Sequence, residues 1–261
     1  MNKQKTHNLF IKPAILIILA FFLISGCFQP SESPRIGAAT KTSNQIPQYF
    51  AGISVENRPI MYNVLGDGSD ITFIISTIHG DEPAGTPLVN YLADYLNNNP
   101  DLLTGRKIVI LPVANPDGLA AGTRFNINNI DLNRNFHAEN RINDPNFGFF
   151  ALSEPESYII YMLIHKYNPT RIVSLHQPYA CIDYDGPGQD LAQAMAKHCD
   201  LPVEKLGARP GSLGAYAGEE LGIPIITFEM RENDSNLTTE LLWQKYGKSI
   251  LAAIVFPNNL P

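Results

Sequence analysis

This 261-residue chain is short of cysteine, of positive charge and of long apolar runs, and each shortage removes a class of protein. Three cysteines cannot build a disulfide scaffold, and neither Cys181 nor Cys199 has a partner at metal-site spacing. Lysine and arginine number 19 against 25 acids, a formal charge of −6, which argues against nucleic acid as a partner. No internal repeat is visible. Only one long apolar run exists, AILIILAFFLIS over 14–25.

That run follows Lys3, Lys5 and Lys12 and ends at Ser25, Gly26 and Cys27. It is shorter than the roughly 20 residues of a membrane-spanning helix and has the order of a secretory signal. Small residues directly before a cysteine resemble a bacterial lipobox. Residues 1–26 are therefore expected to be removed and Cys27 to carry a lipid that anchors the protein to a membrane. Phe28 in place of aspartate then points to the periplasmic face of the outer membrane. Loss of three lysines and no acids takes the formal charge to −9. Residues 27–48, rich in Pro, Ser, Thr and Gln, suit a flexible tether, and 49–261 a single domain. In an oxidising compartment Cys181 and Cys199 either pair or remain small buried apolar residues.

Four runs rich in Ile and Val, ITFIIST, KIVILPVAN, RIVSLH and IPIITFEM, are short enough for strands and continuous enough for burial on both faces. Helical periodicity marks AGTPLVNYLADYLNN, SEPESYIIYMLIHKY, GQDLAQAMAKHC and TTELLWQKYGKSILAAIVF, the second with Ser153 and Glu156 as a capping box. The alternation predicts an α/β fold, a three-layer α/β/α sandwich around a mixed, largely parallel sheet. In such sheets ligands gather at the carboxyl ends of strands. His79 follows the first of these strands, His176 ends the third and Glu229 ends the fourth.

Two imidazoles and a carboxylate, His79, Glu82 and His176, make a set able to hold zinc, with Glu229 beside it as a carboxylate that moves protons. A carboxylate ending the run IPIITF costs several kcal/mol of desolvation unless a cation compensates it. The remaining histidines, His137, His165 and His198, fall at helix or loop positions that suit ordinary structural roles.

The polar run NPDGLAAGTRFNINNIDLNRNF carries Asp117, Arg124, Asp131, Asn133 and Arg134 with little helix or strand character. By itself it reads as a solvated connection. Placed after HGDE and before SLH, however, NPDG, R-x-N and DLNRNF resemble the zinc carboxypeptidase superfamily over residues 70–230. HGDEP, SLHQPYACIDYDGP and PGSLGAYAGEELGIPIITFE further resemble its murein peptide amidase A branch, which hydrolyses the bond between γ-D-glutamate and meso-diaminopimelate.

The resemblance implies one Zn2+ per chain on His79, Glu82 and His176, with a fourth place for water. It implies Glu229 as general base and acid, and Arg124 facing the carbonyl oxygen. Asn133 and Arg134 would bind the free terminal carboxylate and make the enzyme an exopeptidase, while Asp131 would orient His79. Diaminopimelate also carries an ammonium, for which the loop CIDYDGPG supplies Asp183 and Asp185, residues that equally suit a turn beside Gly186 and Gly188. The chain departs from digestive carboxypeptidases, which place a tyrosine about twenty residues before the catalytic glutamate. Here that segment reads KLGARPGS, and Tyr216 falls in a helix-like stretch. A lipobox would set the enzyme beside peptidoglycan, with its peptides as substrate. Competing expectations are an ordinary carboxypeptidase, an N-acyl amino acid deacylase of the succinylglutamate desuccinylase and aspartoacylase type, and a lipid-anchored binding protein without catalysis.

Overall fold

The computed structural model describes residues 46–258 and Leu260; the signal run, Cys27 and most of the proposed tether lie outside them. Among the described residues no helix is long and apolar enough to cross a membrane.

Apolar runs in the centre of the chain become strands because Ile and Val pack well on a pleated surface. In chain order the sheet and its first helices are β1 (Gln48–Ile53), β2 (Pro59–Leu65), β3 (Asp70–Ser76), α1 (Gly85–Asn98), β4 (Arg106–Leu111), α2 (Pro116–Ala121) and α3 (Pro155–Tyr167). Next come β5 (Arg171–His176), β6 (Tyr179–Asp185), α4 (Gln189–Ala196), β7 (Val203–Glu204) and β8 (Ile225–Arg231), then α5 (Thr239–Leu242) and α6 (Lys248–Val255). Eight strands form one sheet in the order β1-β2-β4-β3-β5-β8-β6-β7. The central run β4-β3-β5-β8 is parallel, whereas β1, β2 and β6 add antiparallel pairings. The fold is the expected α/β sandwich on a mixed sheet.

Successive strand residues point to opposite faces, so each apolar run feeds two cores. Ile74, Ile108, Ile110, Val173, Ile226 and Phe228 pack with α1, α4 and α6, while Phe73, Ile75, Val109, Leu111, Ile172 and Ile225 pack with α3 and the 213–217 turn. That parity positions the site. Ser174 and His176 share the α3-side face with Ile172, and Thr227 and Glu229 share it with Ile225. On β6, Ile182 faces the other core, so Asp183 and Asp185 face the site.

Two expectations are corrected. Asp183 and Asp185 belong to a strand and not to a turn, because β6 pairs with β8 through Asp183↔Thr227 and Asp185↔Ile225. Ser153 and Glu156 form no capping box: α3 starts at Pro155, and the Ser153 hydroxyl donates to Glu154 Oε1 at 2.8 Å. The C-terminal run is helical from Thr239 to Val255 as expected, and widens into a π turn over Trp243–Gly247 between α5 and α6. The first strand begins at Gln48, one residue inside the expected tether. Cys181 and Cys199 are both free.

Candidate active site

The HGDE segment leaves β3 in a turn that packs against NPDG. A Cβ on Gly80 would sit 1.9 Å from the Gly118 carbonyl carbon, so this approach needs glycine. Asn115 locks the contact from below. Its side chain accepts from Gly118 N–H at 2.8 Å at the start of α2 and donates to the Ile78 carbonyl at 3.2 Å. Asp117 points away from the cleft: it accepts from the Ser54 hydroxyl at 2.7 Å and the Glu56 N–H at 3.0 Å, tying down the β1–β2 connection. NPDG therefore holds the turn that carries His79 rather than supplying chemistry.

His79, Glu82 and His176 are each at most 6% exposed, and one ligand atom of each lies within 4.8 Å of the others. Glu82 Oε1 is 2.8 Å from His79 Nδ1, and Oε2 is 2.7 Å from His176 Nδ1. Both distal nitrogens are held from behind, His79 Nε2 by Asp131 Oδ1 at 3.0 Å and His176 Nε2 by Ser174 Oγ at 3.0 Å. Two Nδ1 atoms converging on one carboxylate, with both Nε2 atoms oriented by oxygen partners, is a donor set that fits zinc. Burial opposes charge on His79, yet Glu82 and Asp131 outweigh it and raise the ring to about 9.

Glu229 enters the same cleft from β8, 6% exposed, with Oε2 3.4 Å from the Tyr179 N–H. Burial pushes its carboxyl up; the His176 ring opposes this and the Glu82 charge adds to it. Arg124 lies against Glu82 Oε1 at 3.2 Å and Asp131 Oδ2 at 3.0 Å. Its guanidinium lines the cleft and is held from one side by these two carboxylates. Asn133, which lines the cleft, accepts at Oδ1 from the Leu213 N–H at 2.9 Å. Burial, then repulsion from Arg124 and Arg209, lowers the Arg134 guanidinium.

The two β6 aspartates differ. Asp183 Oδ1 accepts from the Leu206 N–H at 2.8 Å, bracing the loop after β7. Asp185 is 3% exposed and its Oδ1 has no hydrogen-bond partner among the described residues. Burial first, then the charges of Asp183 and Glu219, raise its carboxyl to about 6, with Lys205 opposing. Its neighbour is the π turn Gly214–Glu220, where a Cβ on Gly214 would meet Asp185 Oδ2 at 2.0 Å.

One cleft is lined by His79, Glu82, Arg124, Asn133, Arg134, His176, Asp183, Asp185 and Glu229. Asp131 stands directly behind it. The structure also brings in Ser174, Gln177, Tyr179 and Arg209, which the sequence did not single out. Period-two spacing from His176 points to Ser174 once RIVSLH is read as a strand. Gln177 bridges elements, accepting from the Ala84 N–H at 3.1 Å while its own N–H donates to Glu82 Oε2 at 3.2 Å. Nothing local marks Arg209, which reaches the cleft from an irregular loop. Tyr216 is buried in the π turn with its hydroxyl 2.7 Å from His165 Nε2.

The chain is similar in sequence and fold to known proteins. The zinc carboxypeptidase family model matches residues 37–186. Murein peptide amidase A of Escherichia coli (strain K12) is 32% identical over 185 residues, 64% of this chain and 74% of that one. Murein peptide amidase A of Vibrio campbellii is 29% identical over 208 residues, covering 72% and 81% respectively. The crystal structure of murein-tripeptide amidase from E. coli O157 superposes with a TM-score of 0.60 at 25% identity, over 82% of this chain and 95% of that one.

Proposed function

Since the chain belongs to the zinc carboxypeptidase family and is a peptide hydrolase of it, we propose that it releases meso-diaminopimelate from the γ-D-glutamyl bond of peptidoglycan tripeptide stems. The observation that carries this reading is the presence, in one cleft, of Arg134 and of Asp185, whose buried Oδ1 has no hydrogen-bond partner among the described residues. The first suits a terminal carboxylate and the second an ammonium on the same terminal side chain. Relatedness to murein peptide amidases supports the choice of stem peptide.

In this reading His79, Glu82 and His176 hold one zinc ion. Bound there, zinc supplies Lewis acidity that makes water a nucleophile near neutral pH and polarises the scissile carbonyl. Glu229 takes a proton from the attacking water, and as the carbon–nitrogen bond breaks it delivers that proton to the departing amine of diaminopimelate. Arg124 turns its guanidinium to the carbonyl oxygen as negative charge develops. Asn133 and Arg134 hold the terminal carboxylate, which an internal residue lacks. Asp131 and Ser174 fix the imidazole orientations.

Export and lipidation at Cys27 belong to the same proposal, supported by the order of lysines, apolar run and cysteine in the sequence. A protein so anchored, with residues 27–48 as tether and 49–261 as enzyme, meets murein or its released fragments at the periplasmic face of the outer membrane. Labelled palmitate incorporated by the wild type and lost in Cys27→Ser supports the anchor; equal labelling of both removes it. For the reaction, the zinc-loaded full-length protein in detergent is incubated with L-Ala-γ-D-Glu-meso-diaminopimelate beside Glu229→Gln. Diaminopimelate release by the wild type alone supports both substrate and role, and absence of release by either overturns the substrate.

A further inference from the structure

The cleft holds more charge than hydrolysis of a peptide bond requires. Arg124 is neutralised by Glu82 and Asp131. Among the described residues the Arg134 side chain makes one hydrogen bond, to the Asn133 carbonyl at 2.5 Å. Arg209 makes no hydrogen bond or ion pair through its side chain among the described residues, yet lines the same cleft and acts electrostatically on both Arg134 and Asp183. On the acidic side Asp183 is occupied by Leu206, and Asp185 has an oxygen with no partner. Two guanidiniums and one carboxylate are left over. Their complement is a terminal residue with two carboxylates and one ammonium.

Arg134 accounts for one carboxylate. The other guanidinium sits on a loop that is stapled in place from both sides. Asp183 holds it at Leu206, and Gly211 holds it beside the carboxylate-binding segment: the Phe136 N–H donates to the Gly211 carbonyl at 3.0 Å, and the Gly211 N–H to Asn140 Oδ1 at 3.0 Å. Arg209 is the one charged side chain that Leu206–Ser212 gives to the cleft lining. Its backbone carbonyl accepts from the Ser212 N–H at 3.0 Å, so a fixed main chain aims a free, planar fork.

We propose that Arg209 binds the distal carboxylate of the terminal residue, so that Asp185 and Arg209 read the ammonium and the carboxylate of one side-chain zwitterion. This rests on the functional reading above and extends it, because lysine satisfies Asp185 but offers nothing to Arg209. Selection for a diamino dicarboxylate over a plain diamine then lies in a loop residue, and Asp183 positions that loop rather than touching substrate.

The test uses the zinc-loaded full-length protein in detergent, as wild type, Arg209→Gln and Arg209→Lys. Three peptides are compared: L-Ala-γ-D-Glu-meso-diaminopimelate, the same peptide with its distal carboxylate amidated, and L-Ala-γ-D-Glu-L-Lys. The wild type is expected to prefer the free acid over the amide by about tenfold or more in kcat/KM, as for a charge-assisted pair. Arg209→Gln is expected to lose that preference through KM, and Arg209→Lys to retain part of it. A preference that survives in Arg209→Gln, or is missing from the wild type that releases diaminopimelate, overturns the role of Arg209 alone. No diaminopimelate release by the wild type overturns the functional reading as well.

Discussion

His176 and Glu229 are register partners on the adjacent parallel strands β5 and β8. Because they sit at the same level and on the same face, a proposed metal ligand and a proposed proton carrier are fixed relative to each other by main-chain hydrogen bonds. No loop has to close to bring them together. Cys181 is the register partner of Glu229 on its other side, on β6, and is fully buried.

Glu229→Gln keeps the size and burial of the side chain but removes its ability to carry a proton. The expected loss in kcat is about 10²- to 10⁴-fold with little change in zinc content. Turnover by the variant within a few-fold of wild type, measured with metal content checked, would remove Glu229 from proton transfer.

Arg134→Gln deletes the guanidinium proposed for the terminal carboxylate. KM should rise about 10- to 100-fold for peptides with a free C-terminus, the range for a hydrogen bond to a charged group. The same substitution should barely affect peptides whose terminal carboxylate is amidated, which the wild type hydrolyses poorly. Equal loss on both peptide classes contradicts the assignment.

Asp185, at about 6, is half protonated near pH 6. It faces Asp183 and Glu219, which raise it, and Lys205, which lowers it, with the π turn Gly214–Glu220 packed against it. KM for an ammonium-bearing peptide should therefore fall as pH rises through about 6 and the carboxylate ionises, and Asp185→Asn should flatten that profile. The sign for stability is opposite. Because folding raises this carboxyl, the folded state binds more protons than the unfolded one between about pH 4 and 6, and stability is lost as pH rises through that window. Asp185→Asn should then gain on the order of 1–3 kcal/mol at pH 7 while weakening substrate binding. Thermal melts of both proteins at pH 4 and pH 7 check this, and an equal difference at the two pH values contradicts it.

Gly80→Ala forces a methyl group into the Gly118 backbone. The HGDE turn must move, so the variant should lose about 1–3 kcal/mol of stability and bind zinc more weakly. A variant with wild-type melting temperature and zinc affinity would show that the two segments separate freely.

Removal of metal with a chelator should abolish hydrolysis, and zinc should restore it. With zinc at 100 times its dissociation constant the folded state gains about 2.7 kcal/mol, because ligands drawn from the turn after β3 and from the end of β5 are not assembled in the unfolded chain. Melting temperature followed against zinc concentration tests this independently of any substrate; no shift would argue that His79, Glu82 and His176 do not bind zinc.

The strand cores, the helices that cover them and the placing of His79, His176 and Glu229 at or near strand ends were legible in the amino-acid sequence alone. Those features are local, since period-two burial and apolar runs are written residue by residue, and β5 was read to the residue. The order of HGDE, NPDG, DLNRNF and SLH likewise identified the family. Tertiary structure decided what no local pattern encodes. Asp183 and Asp185 have the same residue type, two positions apart on one strand face. Asp183 meets the Leu206 N–H and Asp185 meets two glycines, so only Asp185 is left with a buried oxygen lacking a partner. Asp117 and Asp131, both in one polar stretch, separate in the same way, one to the β1–β2 connection and the other to His79. Arg209 was silent in the sequence because a loop residue acquires meaning only from what the folded chain sets across from it, here Arg134 and Asp183.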